Sequence, residues 1–331
     1  MARPSKPSAW LAALLVLAAA LLVATAGWGD LYNETDGQYA GAAKVMAAGG
    51  SWLIPENNGV PRLVKPPLLY WAMAVAMEGF GVNAFAARLP SALALGAWVA
   101  VTFLIGNQMG GPWRGFVSGL IMLTSLGTFT LGRVVMPEPL FAMCIAAAIF
   151  CALRGQHAPA GRAGWFTGFW LCAGLASFSK GWHGLLYPLA VIGLAALLCR
   201  GARPGLRGLI SWHGPLLAAA INLPWYIYVE RQFPGYLQNL FFAEQLGHVT
   251  GSDAPATSYT DVPRLQFLLL HLAWFFPWSL AAACAFWQRR REAVAAVMAM
   301  SWPAAVCLSW TAIIGGSALL SVLLPAPASL R

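Results

Sequence analysis

Uninterrupted apolar runs recur along this chain, and each comes close to the length that crosses a bilayer. A hydrocarbon core takes about 20 apolar residues per helix. On that ruler, spans fall near 9–27, 86–107, 115–133, 138–153, 164–179, 184–199, 208–229, 265–286 and 293–313, with a shorter apolar piece over 317–330. Lipid offers the backbone no hydrogen-bond partners, so such runs must be helices. Charged residues make up 9% of the chain, against about 25% in a soluble domain. The sequence predicts an all-α polytopic membrane protein, a single transmembrane module over 1–331 with about nine or ten spans. Its net charge of +9 is then no nucleic-acid footprint, and no nucleic-acid partner is expected.

Where the charges lie sets the orientation, because cytoplasmic loops collect Lys and Arg. With the N-terminus inside, the inner segments hold Arg3, Lys6, Arg114, Arg154, Arg162, Arg200, Arg203, Arg207 and Arg289 to Arg291, with Glu292 as their one acid. The other ten acids fall outside. MARPSK, an apolar run and Ala24-Thr25-Ala26 also fit a secretory signal; a retained first span and a cleaved one give the same topology.

The outer segments concentrate the polar chemistry. The first, residues 28–84, carries Asp30, Glu34, Asp36, Glu56 and Glu78 among its apolar flanks. Within it stand Glu34-Thr35-Asp36 ahead of Tyr39, a turn in GGSWLIP, and Lys65 before the rigid Pro66-Pro67 of KPPLLYW. Two short helices, near 36–46 and after Pro66, are expected to lie in the interface as a lid. Further along, Arg133 and Glu138 bracket RVVMPEP, Lys180 sits in SFSKGWHGLLYP, and a second outer loop, 230–264, holds Glu244 and His248.

These motifs, together with Asn58-Gly59 and Arg88-Leu89-Pro90-Ser91, resemble the membrane glycosyltransferases of the ArnT and protein O-mannosyltransferase type, in the GT-C superfamily. The resemblance implies a helical bundle whose long first outer loop carries interfacial helices. It implies inverting transfer of a sugar from a polyprenyl-phosphate donor to a lipid A, protein or glycan acceptor. The setting it implies is a bacterial-type inner membrane, with the site facing the periplasm. Asp36 or Glu34 would be the catalytic carboxylate. Lys65, Lys180, Arg133 and Arg88 would hold the donor phosphate, and Tyr39, Glu138, Glu244 and His248 would contact substrate.

The match has departures. Thr35 occupies the family's leading Asp position, Gln38 replaces the usual Arg, and Val64 stands where some relatives carry an acid before the lysine. That last change argues against a metal site there; no cofactor is assigned, and the need for a divalent metal is left open. The chain ends in LLPAPASLR inside what resembles a further family span, so it reads as shortened at its C-terminus. An inactive or incomplete relative is one alternative. A transporter is another, disfavoured because its ionisable groups would sit mid-membrane.

Blander roles compete for the same residues. Glu34 and Asp36 suit a solvated loop or a helix N-cap, Glu138 a cap, and Lys180 and Arg133 snorkelling interface cations. The six cysteines lie in or beside apolar runs without metal-ligand spacing, which suits packing.

Overall fold

The computed structural model describes residues 6–31, 34–158, 161–198 and 206–240, together with Phe242 and parts of 269–287. Helix α1, Pro7–Ala18, runs on through a π turn, Ala19–Val23. After α2, Glu34–Ala47, two short strands, Glu56–Asn57 and Val60–Pro61, pair antiparallel with Asn57 opposite Val60. There follow α3 (Leu68–Phe80), α4 (Ala84–Gly110), α5 (Pro112–Leu123), α6 (Leu126–Leu131) and α7 (Glu138–His157). The bundle continues with α8 (Arg162–Lys180), α9 (His183–Leu198) and α10 (His213–Gln232), then a last turn at Tyr236–Asn239.

The packing is that of helices in lipid. Val16, Leu93, Leu197, Leu216 and Leu223 point outward and are exposed, while Ala92, Ala148, Ala152, Ala173, Ala176 and Ala195 are buried. Small residues inside let helix backbones approach closely where no hydrophobic drive separates helix from solvent. Helices α4 and α5 show the result: a Cβ on Gly115 would lie 2.6 Å from the Phe103 carbonyl oxygen. Helix α1 belongs to the same core, with Leu14, Ala18 and Leu22 packed among Leu95, Val99 and Phe103.

Helices lie within a few residues of the predicted apolar runs through α10. Among the described residues, Ala84–Gly110 and Glu138–His157 are the helices long and apolar enough to cross a membrane by length and composition alone. The run at 115–133 is two helices rather than one. Thr124 and Ser125 turn their hydroxyls back onto the carbonyls of Leu120 and Ile121, and Thr128 bonds the Met122 carbonyl. Such side-chain bonds compete with the helical ladder. The expected spans at 265–286 and 293–313 lie partly and wholly outside the described residues.

The first outer segment forms its own layer. Tyr39, Ala43 and Met46 of α2 meet Leu69, Tyr70, Met73 and Met77 of α3 in one buried cluster, which also takes in Ala86, Ala87 and Val135. Asn83 caps α4, its Oδ1 accepting the Ala86 N–H at 2.9 Å. The hairpin at Asn58-Gly59, both in left-handed conformation, was not anticipated; Asn-Gly is the commonest two-residue hairpin turn.

Candidate active site

Chain reversals at one end of the bundle bring predicted polar residues together in two groups, Asp36 with Arg88 and Arg133, and Glu138 with Lys180. Arg88, 4% exposed, anchors that end. Its Nε donates to the Arg133 carbonyl at 2.9 Å, Nη1 to the carbonyls of Ala26, Trp28 and Gly29, and Nη2 to that of Asp30 at 2.7 Å. These bonds satisfy carbonyls left open where the chain leaves the first span. Arg133 likewise donates to the Thr25 carbonyl and covers the Phe129 ring. Both arginines were expected at the donor phosphate, but the geometry commits them to the fold.

Asp36 is neither a solvated loop acid nor an N-cap. It is 2% exposed, its Oδ1 accepts the Val135 N–H at 2.7 Å, and its Oδ2 lies 4.0 Å from Arg88 Nη2. It fastens α2 to the turn before α7.

Glu138 and Lys180 do converge. Lys180 Nζ lies 2.6 Å from Glu138 Oε1 and 5.6 Å from the Phe141 ring centroid. Glu138 Oε2 is buried without a hydrogen-bond partner among the described residues. A carboxylate oxygen left unpaired beside a fixed ammonium keeps lone pairs that can accept a hydrogen bond from a hydroxyl. The Glu138 charge also reaches Tyr39, whose hydroxyl is held well above the usual tyrosine pKa, chiefly by burial, then by Tyr70 and Glu138. Tyr39 stacks on Tyr70 with ring centroids 5.3 Å apart, and burial pushes Tyr70 up to about 12.

Lys65 is half-buried between the second strand and α3, ahead of the buried Pro66 and Pro67. Its loop is pinned through backbone oxygens: Trp71 Nε1 donates to the Trp52 carbonyl at 2.5 Å, Trp225 Nε1 to that of Leu53 at 2.8 Å, and the Tyr236 hydroxyl to that of Leu63 at 2.9 Å. Two clefts open nearby. One of about 300 Å³ is lined by Asp30, Gly41, Lys44 and Asn83 among others, and one of about 460 Å³ by Leu63, Val64, Phe233 and Tyr236 among others. Neither of these two clefts is lined by Lys65, Glu138 or Lys180. The Glu34 side chain, Glu244 and His248 lie outside the described residues. No three His, Cys, Asp or Glu side chains gather to hold a metal among the described residues.

Comparison with known proteins decides the family. Residues 28–238 match the profile of dolichyl-phosphate-mannose-protein mannosyltransferases. The chain belongs to that family. The bundle of this mannosyltransferase-family protein superposes on the crystal structure of ArnT from Cupriavidus metallidurans bound to undecaprenyl phosphate, with a TM-score of 0.81 at 22% identity, covering 97% of this chain and 57% of that one. It also resembles the Archaeoglobus fulgidus oligosaccharyltransferase, with a TM-score of 0.62 at 12% identity, covering 97% of this chain and 50% of that one. The fold is the GT-C membrane bundle. Among curated proteins, the undecaprenyl phosphate-alpha-4-amino-4-deoxy-L-arabinose arabinosyl transferase 2 of Proteus mirabilis is 26% identical over 283 residues, 82% of this chain and 49% of the relative. A Pseudomonas fluorescens enzyme of the same name is 27% identical over 277 residues, 79% of this chain and 48% of its own length. The chain thus spans about half the length of the curated relatives it matches.

Proposed function

We propose that this mannosyltransferase-family protein transfers a sugar, with inversion, from a polyprenyl-phosphate-linked donor to an acceptor on the non-cytoplasmic side of a bacterial inner membrane. The observation that carries the reading is the Lys180–Glu138 pair, 2.6 Å apart across 42 residues of chain, with Glu138 Oε2 left unpaired. In this reading Glu138 Oε2 orients the acceptor and takes its proton as the acceptor oxygen bonds to the anomeric carbon. The bond from that carbon to the phosphate breaks, and its electron pair leaves with the polyprenyl phosphate. Lys65 stabilises the charge gathering on that phosphate. Asp36 keeps its structural position, so Glu138 replaces it as the candidate base, and Thr35 leaves the family's leading acid position without a carboxylate. The relatives' names make undecaprenyl-phosphate aminoarabinose the first donor to try; lipid, protein and glycan acceptors are all to be offered.

The test supplies membranes containing the full chain with labelled polyprenyl-phosphate sugars and follows both labelled acceptor and released polyprenyl phosphate. Transfer by the unaltered chain, lost in Glu138→Gln, is the expected result. Equal transfer by Glu138→Gln overturns the role of Glu138. Donor binding without transfer by the unaltered chain identifies a non-catalytic relative.

A further inference from the structure

The cations at the site end of the bundle are unequally committed. Arg88 is spent on backbone carbonyls and Arg133 is turned onto the Thr25 carbonyl. Lys180 is neutralised by Glu138 at 2.6 Å. Arg62, in the first outer segment, differs from all three. It follows the second strand, and its backbone N–H is fixed to the Pro55 carbonyl at 2.6 Å. Its Nε donates to the Tyr70 hydroxyl at 3.1 Å, and its guanidinium carbon lies 5.1 Å from the Tyr39 ring centroid.

A guanidinium carries five N–H donors in a rigid fork. Its place over the Tyr39 ring and one bond from Nε hold it, and such a fork has donors beyond Nε for a second partner. Burial keeps Tyr39 and Tyr70 protonated, so neither supplies a counter-charge. Among the described residues no carboxylate forms an ion pair with Arg62. Tyr39, whose ring carries Arg62, is itself a residue that the resemblance places at the substrate. Arg62 stands three residues before Lys65 on the same pinned loop.

We infer that Arg62 is a phosphate-recognition residue of the site, its aromatic-held fork binding the phosphate of the lipid-linked donor alongside Lys65. This rests on the proposed glycosyl transfer. An Arg fork matches two phosphate oxygens at once, whereas Lys contributes a point charge. Arg62 would therefore set the orientation of the phosphate, and Tyr70 would act as its positioning residue.

The test uses the full chain in phosphatidylcholine nanodiscs without acceptor. Undecaprenyl phosphate is the probe and undecaprenol the uncharged control, with binding read by tryptophan fluorescence. The unaltered chain should prefer the phosphate form. Arg62→Gln should weaken phosphate binding by roughly tenfold or more, leave undecaprenol binding unchanged and flatten the salt dependence. Arg62→Lys should fall between them, and Tyr70→Phe should weaken phosphate binding a few-fold while keeping the charge. If Arg62→Gln does not fold, the Arg62→Lys and Tyr70→Phe pair carries the same comparison. An unchanged preference in these variants overturns the inference and leaves Arg62 as a brace for the two tyrosines. Absence of any preference in the unaltered chain removes the glycosyl-transfer reading as well.

Discussion

Asp36 reaches across 99 residues of chain to accept the backbone N–H of Val135 at 2.7 Å, inside a cluster closed to solvent. One of the two carboxylates that the resemblance offers as catalytic is thereby a structural tie between α2 and the segment leading into α7. Asp36→Ala leaves a buried N–H unmet and should cost about 1–3 kcal/mol. Asp36→Asn keeps an acceptor and should cost less. Thermal melting of the purified chain separates the two. A melting point unchanged in both variants, with transfer abolished, would return Asp36 to the catalytic role.

Glu138 and Lys180 should behave in the opposite way. Their side chains are 36% and 33% exposed, and a pair so screened contributes under about 1 kcal/mol. Glu138→Gln should therefore leave melting nearly unchanged while lowering transfer roughly a hundredfold. Lys180→Met should lower transfer less than Glu138→Gln. Parallel melting and rate measurements on both variants check the contrast.

The tyrosines make a prediction at high pH. Tyr70 is pushed up to about 12 in the fold, against about 10 when unfolded. Between those values the folded state binds more protons, so stability falls as pH rises. Below pH 10 this group contributes no slope. Melting of the unaltered chain and Tyr70→Phe from pH 8 to 11 should show a steeper decline in the unaltered chain above pH 10 only.

Trp225 ties α10 to the first outer loop through the Leu53 carbonyl at 2.8 Å. Trp225→Phe keeps the aromatic body and removes the donor, a loss of about 1 kcal/mol. Faster limited proteolysis within residues 48–64, with the bundle intact, is the expected outcome.

Sidedness follows from the charge pattern. In a variant lacking the native cysteines, a cysteine introduced at position 65 should react with an impermeant thiol reagent in intact cells whose outer membrane has been made permeable. Labelling only after the inner membrane is broken would reverse the topology and the proposed mechanism with it.

The bundle was readable because every span obeys the same requirement: enough apolar residues to cross lipid with the backbone bonded to itself. Helices α4 and α7 follow from that rule alone. The break between α5 and α6 was not readable, because it depends on Thr124, Ser125 and Thr128 choosing carbonyls over water. At the site, Glu138 and Lys180 stood out as isolated charges in apolar surroundings, and the structure pairs them. Arg88 and Arg133 stood out in the same way yet serve the fold. Their partners are backbone carbonyls, which every residue carries and no sequence pattern marks. Arg62 carries no such mark in the sequence, because its partners are the Tyr39 ring and the Tyr70 hydroxyl, 23 and 8 residues away.

The pinning of the first outer loop is lopsided: Trp71, Trp225 and Tyr236 provide the donors, while Trp52, Leu53 and Leu63 provide only main-chain oxygen. Any amino acid supplies that oxygen, proline included. Natural variation can thus rewrite the acceptor positions and recolour the loop's surface without loosening it, as long as the three aromatic donors persist. A loop held this way is a rigid frame with interchangeable panels, open to new acceptor chemistry by point changes that leave its geometry in place.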